Sequence, residues 1–201
     1  MNVLEFAKKV NPCQRNWLEN ETIPQEDIDY IIEACTSMPT KQALPYYSLA
    51  YTTDRKTINS IFDVANNPDD SETVRRNAQV RANLLMIWFD NQDYDSSTTM
   101  KTQEAIDDAI MSIGIASGAA ALAGAEKGYS TGFCKCFQES AIKKILQPYT
   151  GKIFKKTRIR LLLGIGLPDP NLNTRDIGIN GEHCGTKNSR GFANIKLFKL
   201  Q

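Results

Sequence analysis

Residues 109–125, AIMSIGIASGAAALAGA, pass seventeen positions without a charge before Glu126. Most of these residues are Ala, Gly, Ser or Ile. A lipid-facing span needs about twenty predominantly apolar residues, and Asp107, Asp108, Glu126 and Lys127 cut this run short. The run predicts a helix starting around 102–107 and buried on all sides by the rest of its own protein. Small side chains let neighbouring backbones approach closely, and each glycine costs roughly 1 kcal/mol of helix propensity that packing must offset. The following GYSTGFC, 128–134, reads as a Gly- and hydroxyl-rich turn, with backbone N–H groups suited to the polar edge of a cofactor.

A chain of 201 residues, 41% hydrophobic and 23% charged, predicts one globular domain over 1–201 with a substantial core. Its formal charge of +1 gives no electrostatic footprint for nucleic acid. The basic clusters VRRNAQVR and KIFKKTRIR read as solvated faces. Neither nucleic acid nor membrane is an expected partner. The opening MNVLEFAKKVNPC lacks the apolar core and cleavage site of a secretory signal, so a cytoplasmic protein is expected. Five cysteines do not suggest a disulfide framework, and reduced thiols are the default. Cys134 and Cys136 with His183 and Cys184 miss the usual C-x2-C spacing of zinc sites, so no metal is expected. His183, the sole histidine, lies in the polar stretch GEHCGTKNSRG and is read as a surface residue rather than part of a nucleophile–histidine pair. GIGLPD, 164–169, fails the dinucleotide fingerprint: its last glycine is missing and Pro168 and Pro170 prevent a helix opening there.

Periodicity and punctuation then give the order of elements. Residues 4–10 form a short amphipathic helix ended by Asn11 and Pro12. TIPQEDIDYIIEACTS is a helix, with Thr22 as its cap, Pro24 early and Ile28, Ile31, Ile32 and Cys35 at helical spacing. YYSLAYTTD is a strand ending near Asp54, and RKTINSIFDVA a helix. A polar turn over 66–71 leads to a helix, ETVRRNAQVRANL, and then to LLMIWFD, a continuous apolar run suited to a strand buried on both faces. Residues 91–103 read as a variable loop or lid. After the small-residue helix, Ser140 caps a short helix to Leu146, with Pro148 and Gly151 forming a turn. TRIRLLLGIGLPD is a central strand, and FANIKLFKL, within a C-terminal extension over 170–201, is a last edge strand. The order predicts an α+β layered domain.

Four of these segments, in register, resemble the FMN-dependent nitroreductase family. They are AAALAGAEKGYSTGF, CQRNW ahead of TIPQEDIDYIIEACTSMPT, PTKQALPYYSLAYTTD followed by RNAQVRANLLMIWF, and LLLGIGLPD. Together they cover about 13–169. The resemblance implies a nitroreductase-like three-layer sandwich, with a central, mostly antiparallel sheet flanked by helices. It implies an intertwined homodimer in which the C-terminal strand reaches the partner's sheet. Cys13, Gln14 and Arg15 would lie at the flavin phosphate, Thr40 and Gln42 near the ribityl chain and ring, and Asn77 and Gln79 at the ring's polar edge. Ser130, Thr131, Gly132 and Phe133 would border the ring on the other side, and Lys187 or Arg190 would supply a second base.

The implied activity is a ping-pong oxidoreductase. FMN takes hydride from NADH or NADPH and passes it to a small-molecule electron acceptor such as a nitroaromatic or quinone. Tyr94 and Met100, in the variable loop, would cover the substrate. One departure stands out: the family's first arginine falls at Asn11 or Pro12, and its serine at Cys13. Two rival readings remain open on sequence. One is the same fold with another reaction, dehalogenation or flavin cleavage; the other is a non-catalytic dimeric scaffold that has lost FMN.

Overall fold

Leu84, Met86 and Trp88 are buried in one hydrophobic cluster, while the alternating Leu85, Ile87 and Phe89 are buried in another. Successive side chains of a strand point to opposite faces, so this strand carries a core on each side. The structure is a computed structural model, and it describes residues 2–10, 13–66, 77–91, 103–150 and 157–172. Its elements run α1 (Val3–Val10), α2 (Gln25–Thr36), β1 (Tyr47–Thr52), α3 (Arg55–Asp63), β2 (Leu84–Asp90), α4 (Gln103–Glu126), β3 (Ser130–Cys134), α5 (Glu139–Thr150) and β4 (Ile159–Gly166). The doubly buried strand is therefore β2, and the sheet order is β1-β2-β4-β3, each pair antiparallel.

Helices cover both faces. Ile28, Ile31 and Cys35 of α2 and Ile113, Ala116, Ala120 and Ala121 of α4 join the Leu84–Trp88 cluster. Ile58, Ile61 and Phe62 of α3 and Ile142 and Leu146 of α5 join the other. The result is a three-layer α+β sandwich. By length and composition α4 is apolar enough to cross a membrane, yet 61% of that window is buried inside the protein. Its small residues explain the fit: a Cβ at Gly124 would stand 3.0 Å from Ile165 of β4, so helix and sheet are already in contact. At its far end, Tyr129 donates to Asp27 Oδ2 at 2.6 Å, and Lys127 pairs with Asp27 at 3.0 Å, tying the exit of α4 to α2.

Four expectations need correction. GYSTGFC is not a turn: Ser130–Cys134 is β3, paired with Gly166 to Leu162 of β4. Pairing to a neighbouring strand overrides a local composition that reads as irregular. Within ETVRRNAQVRANL, the described part is not an α-helix but a 3-10 turn, Ala78–Arg81, with extended backbone at Asn77. This segment lies flat across β3 and β4, which a full α-helix is too thick to do. Thr22 does not cap α2; the helix begins after Pro24, whose carbonyl accepts from Asp27 and Ile28 N–H. Ser140 lies inside α5, since the Gln138 carbonyl accepts from Ala141 and Ile142 N–H, and the helix continues through Pro148 to Thr150. A proline so near a helix end removes only one late hydrogen bond. The 91–103 loop beyond Asn91 and before Gln103, the turn from 67 on, and the FANIKLFKL strand lie outside the described residues.

Candidate functional site

Two segments cross the β3–β4 end of the sheet where glycines leave room for them. A Cβ at Gly132 would stand 2.5 Å from both the Gln14 carbonyl oxygen and Gln79 Cβ. At Gly164 it would stand 2.0 Å from the Gln79 carbonyl oxygen. Gly132 and Gly164 are register partners, so they form one flat patch. No side chain fits there, and the absence of one is what lets residues 13–15 and 77–83 come together.

The first segment runs beside the outer edge of β3. Gln14 N–H donates to the Thr131 carbonyl at 2.8 Å, and Cys13 Sγ lies 3.7 Å from the Phe133 carbonyl. Gln14 is buried, and its Oε1 accepts from Arg15 N–H at 2.8 Å and Asn16 N–H at 3.1 Å. That side chain therefore fixes the backbone from which Arg15 projects. Trp17 Nε1 donates to the Ala78 carbonyl at 2.9 Å, which locks the first segment to the second.

In the second segment, both donors of the Asn77 amide are engaged, with the Ala65 carbonyl at 2.9 Å and the Cys136 carbonyl at 2.8 Å. Gln79 Nε2 donates to the Phe133 carbonyl at 3.2 Å. Gln79 Oε1 and Thr131 Oγ1, both buried, have no hydrogen-bond partner among the described residues. Buried polar atoms are nearly always satisfied, and leaving one unmade costs about 1–3 kcal/mol. The two face opposite sides of the sheet, Thr131 sharing the α4 side with its register partner Ile165 and Gln79 lying over Gly132 and Gly164, so the Gln79 acceptor alone stands where residues 13–15 and 77–79 meet, suited to a donor of a polar ligand. Phe133, 36% exposed, offers an apolar surface beside them. Burial pushes the Cys134 thiol up to about 12, so it stays protonated and unreactive.

The structure thus brings together Cys13, Gln14, Arg15, Asn77, Gln79, Thr131, Gly132 and Phe133. Ser130 opens β3 opposite Gly166. Thr40 and Gln42 sit in a separate turn after α2, tied to α4 through Lys41, whose Nζ lies 2.7 Å from Asp108 Oδ2. Tyr94, Met100, Lys187, Arg190, His183 and Cys184 lie outside the described residues, as do Asn11 and Pro12. Sequence reasoning missed Trp17 as the clamp between the two segments and Lys41–Asp108 as the anchor of the 40–44 turn. No local pattern marks either, because their partners lie 61 and 67 residues away.

No protein-family model matches the chain, and no curated protein matches its sequence. Solved structures do match its fold. A nitroreductase family protein from Clostridium novyi NT superposes with a TM-score of 0.67 at 18% identity, over 87% of this chain and 90% of that one. NfrA2 of B. megaterium gives a TM-score of 0.71 at 15% identity, over 87% and 70%. A BluB-like flavoprotein from Clostridium difficile 630 gives 0.64 at 18%, over 86% and 93%. The chain has a nitroreductase-like fold. At these identities the likeness is one of architecture, and function rests on the site.

Proposed function

We propose that the protein is a flavin-dependent oxidoreductase that binds FMN beside β3, where residues 13–15 and 77–79 meet. The observation that carries this reading is Gln79 Oε1, buried and without a hydrogen-bond partner among the described residues, where the segment of Arg15 meets that of Gln79 in a nitroreductase-like fold. Arg15 would hold the phosphate by a charge-assisted hydrogen bond. Gln79 would satisfy the ring's polar edge, and Phe133 would shield it from water. When bound, the flavin supplies the redox chemistry, with NADH or NADPH as donor and a nitroaromatic or quinone as acceptor. The protein's own share is to position the ring, neutralise charge and exclude solvent.

A homodimer belongs to the same proposal. Ile110, Met111 and Ile115 of α4 are 43%, 58% and 49% exposed, and a Cβ at Gly114 or Gly118 would meet nothing within 4 Å. These positions share one helical stripe. An apolar stripe with glycines in it suits the close approach of a second copy. The four cysteines among the described residues are free thiols, which fits a reducing, cytoplasmic setting.

The test is spectroscopic. Protein incubated with FMN and desalted should retain the visible absorbance of oxidised flavin, lose it on anaerobic addition of NADH or NADPH, and regain it on addition of quinone or nitroaromatic. Protein that retains no flavin would favour the scaffold reading. Flavin that only oxygen reoxidises would favour a different reaction on the same fold.

A further inference from the structure

Thr157 and Arg158 come just before β4, and with the first turns of α5 they line a cleft of about 640 Å³. That volume suits a small organic molecule rather than a bare ion. Phe137, half-buried, lies in the lining together with Glu139, Ser140 and Lys143.

The lining carries surplus positive charge. Lys143 Nζ lies 2.7 Å from Glu139 Oε1, and Arg158 Nε lies 3.7 Å from Glu139 Oε2. Among the described residues lining the cleft Glu139 is the one carboxylate, so it serves two cations, and its Oε1 also accepts from Ile159 N–H at 3.2 Å. Asp90 fixes the Arg158 backbone, accepting from its N–H and donating to its carbonyl, but the Asp90 charge is paired with Arg160. The start of α5 adds donors. Ala141 and Ile142 N–H reach the Gln138 carbonyl, whereas Glu139 and Ser140 N–H precede the first intrahelical bond and lie at the positive end of the helix.

A second observation is independent of charge. Thr157 is 2% exposed, and its Oγ1 has no hydrogen-bond partner among the described residues. A buried hydroxyl left unpaired costs about 1–3 kcal/mol. Thr157 belongs to the cleft wall, so a ligand there supplies the acceptor that this hydroxyl lacks.

We infer that the cleft binds a phosphate monoester of a small organic molecule. A carboxylate offers two oxygens, whereas a phosphate offers three, enough to engage Lys143, Arg158 and Thr157 together beside a helix N-terminus. The organic part lies along Phe137.

The experiment is isothermal titration calorimetry of the full chain with phenyl phosphate and with inorganic phosphate, at an ionic strength held constant with chloride. Each variant is melted in parallel. Phenyl phosphate should bind saturably and more tightly than inorganic phosphate. Thr157→Val keeps the shape and removes only an unpaired hydroxyl, so the melting temperature should hold or rise while phenyl phosphate affinity falls about threefold to tenfold. Lys143→Gln should weaken binding about threefold to tenfold. Glu139→Gln removes the opposing charge, keeps an acceptor for Ile159 N–H, and should tighten binding about threefold. If Thr157→Val does not fold, the opposite effects at 143 and 139 decide, because a merely structural loss does not tighten binding. No saturable heat from phenyl phosphate, or affinity unchanged in any folded variant, overturns the site. Equal affinity for inorganic phosphate assigns the cleft to the free ion and overturns the monoester. Displacement of phenyl phosphate by FMN would merge the cleft with the flavin site and overturn it as a site of its own.

Discussion

The Gln79 carbonyl oxygen lies directly over Gly164, where a Cβ would stand 2.0 Å from it. Backbone cannot yield by that much without moving the whole 77–83 segment. Gly164→Ala should therefore destabilise the fold by about 3 kcal/mol or more, the upper range for overpacking. A shift of the urea midpoint, or loss of soluble protein, checks it. A variant as stable as wild type would mean the crossing is not this close.

Arg15 and Gln79 should separate cleanly from stability. Arg15→Ala removes a charge-assisted hydrogen bond worth about 1.5–3 kcal/mol, so FMN affinity should fall about ten- to hundredfold while the melting temperature holds. Gln79→Met removes an acceptor that is unpaired among the described residues, along with the amide's hydrogen bonds to the Phe133 carbonyl and, at 3.5 Å, to Asn77 Oδ1. The apo protein should change by no more than about 1 kcal/mol, and FMN affinity by about tenfold. Equilibrium titration beside thermal melting distinguishes the two effects.

Ile115→Glu places a charge in the exposed apolar stripe of α4. In a dimer joined through that stripe it should turn a two-chain species into a single chain in sedimentation equilibrium, with helix content unchanged. A wild-type protein that already sediments as one chain would refute the dimer.

Asp27 sets an acid limit. The Tyr129 hydroxyl and then the Lys127 ammonium hold its carboxyl below the ordinary carboxylate range. A folded-state pKa depressed in this way adds stability above the unfolded value of about 3.9, and that stability is lost as pH falls through the folded pKa. Asp27→Asn should thus be less stable near neutrality and lose less on acidification below about pH 4. Urea midpoints across that interval measure it, and an acid limb as steep as wild type would discount Asp27.

Local pattern carried the parts of the fold whose burial is written in consecutive residues. LLMIWF, 84–89, is apolar at every position and is buried at every position, and the small-residue run is the mostly buried α4. β3 was illegible because Ser130, Thr131 and Gly132 owe their extended form to Gly166, Ile165 and Gly164 across the ladder. Residues 77–83 read as part of a helix, whereas the glycine patch beneath them decides their path. The family resemblance selected residues 13–15, 77–79 and 131–133, which the fold draws to one place. It gave no sign of Lys41 and Asp108.

Strand β2 is apolar on both sides, so sliding it by one residue would exchange one set of greasy side chains for another. Facial pattern alone cannot proofread such a strand. What can is its polar end: Asp90, almost fully enclosed, receives Arg160 Nε at 3.0 Å and Nη2 at 2.6 Å from β4. A slipped β2 would strand that carboxylate away from its guanidinium. Correct assembly of the sheet is thus checked at its rim, by one ion pair, rather than in its oily middle.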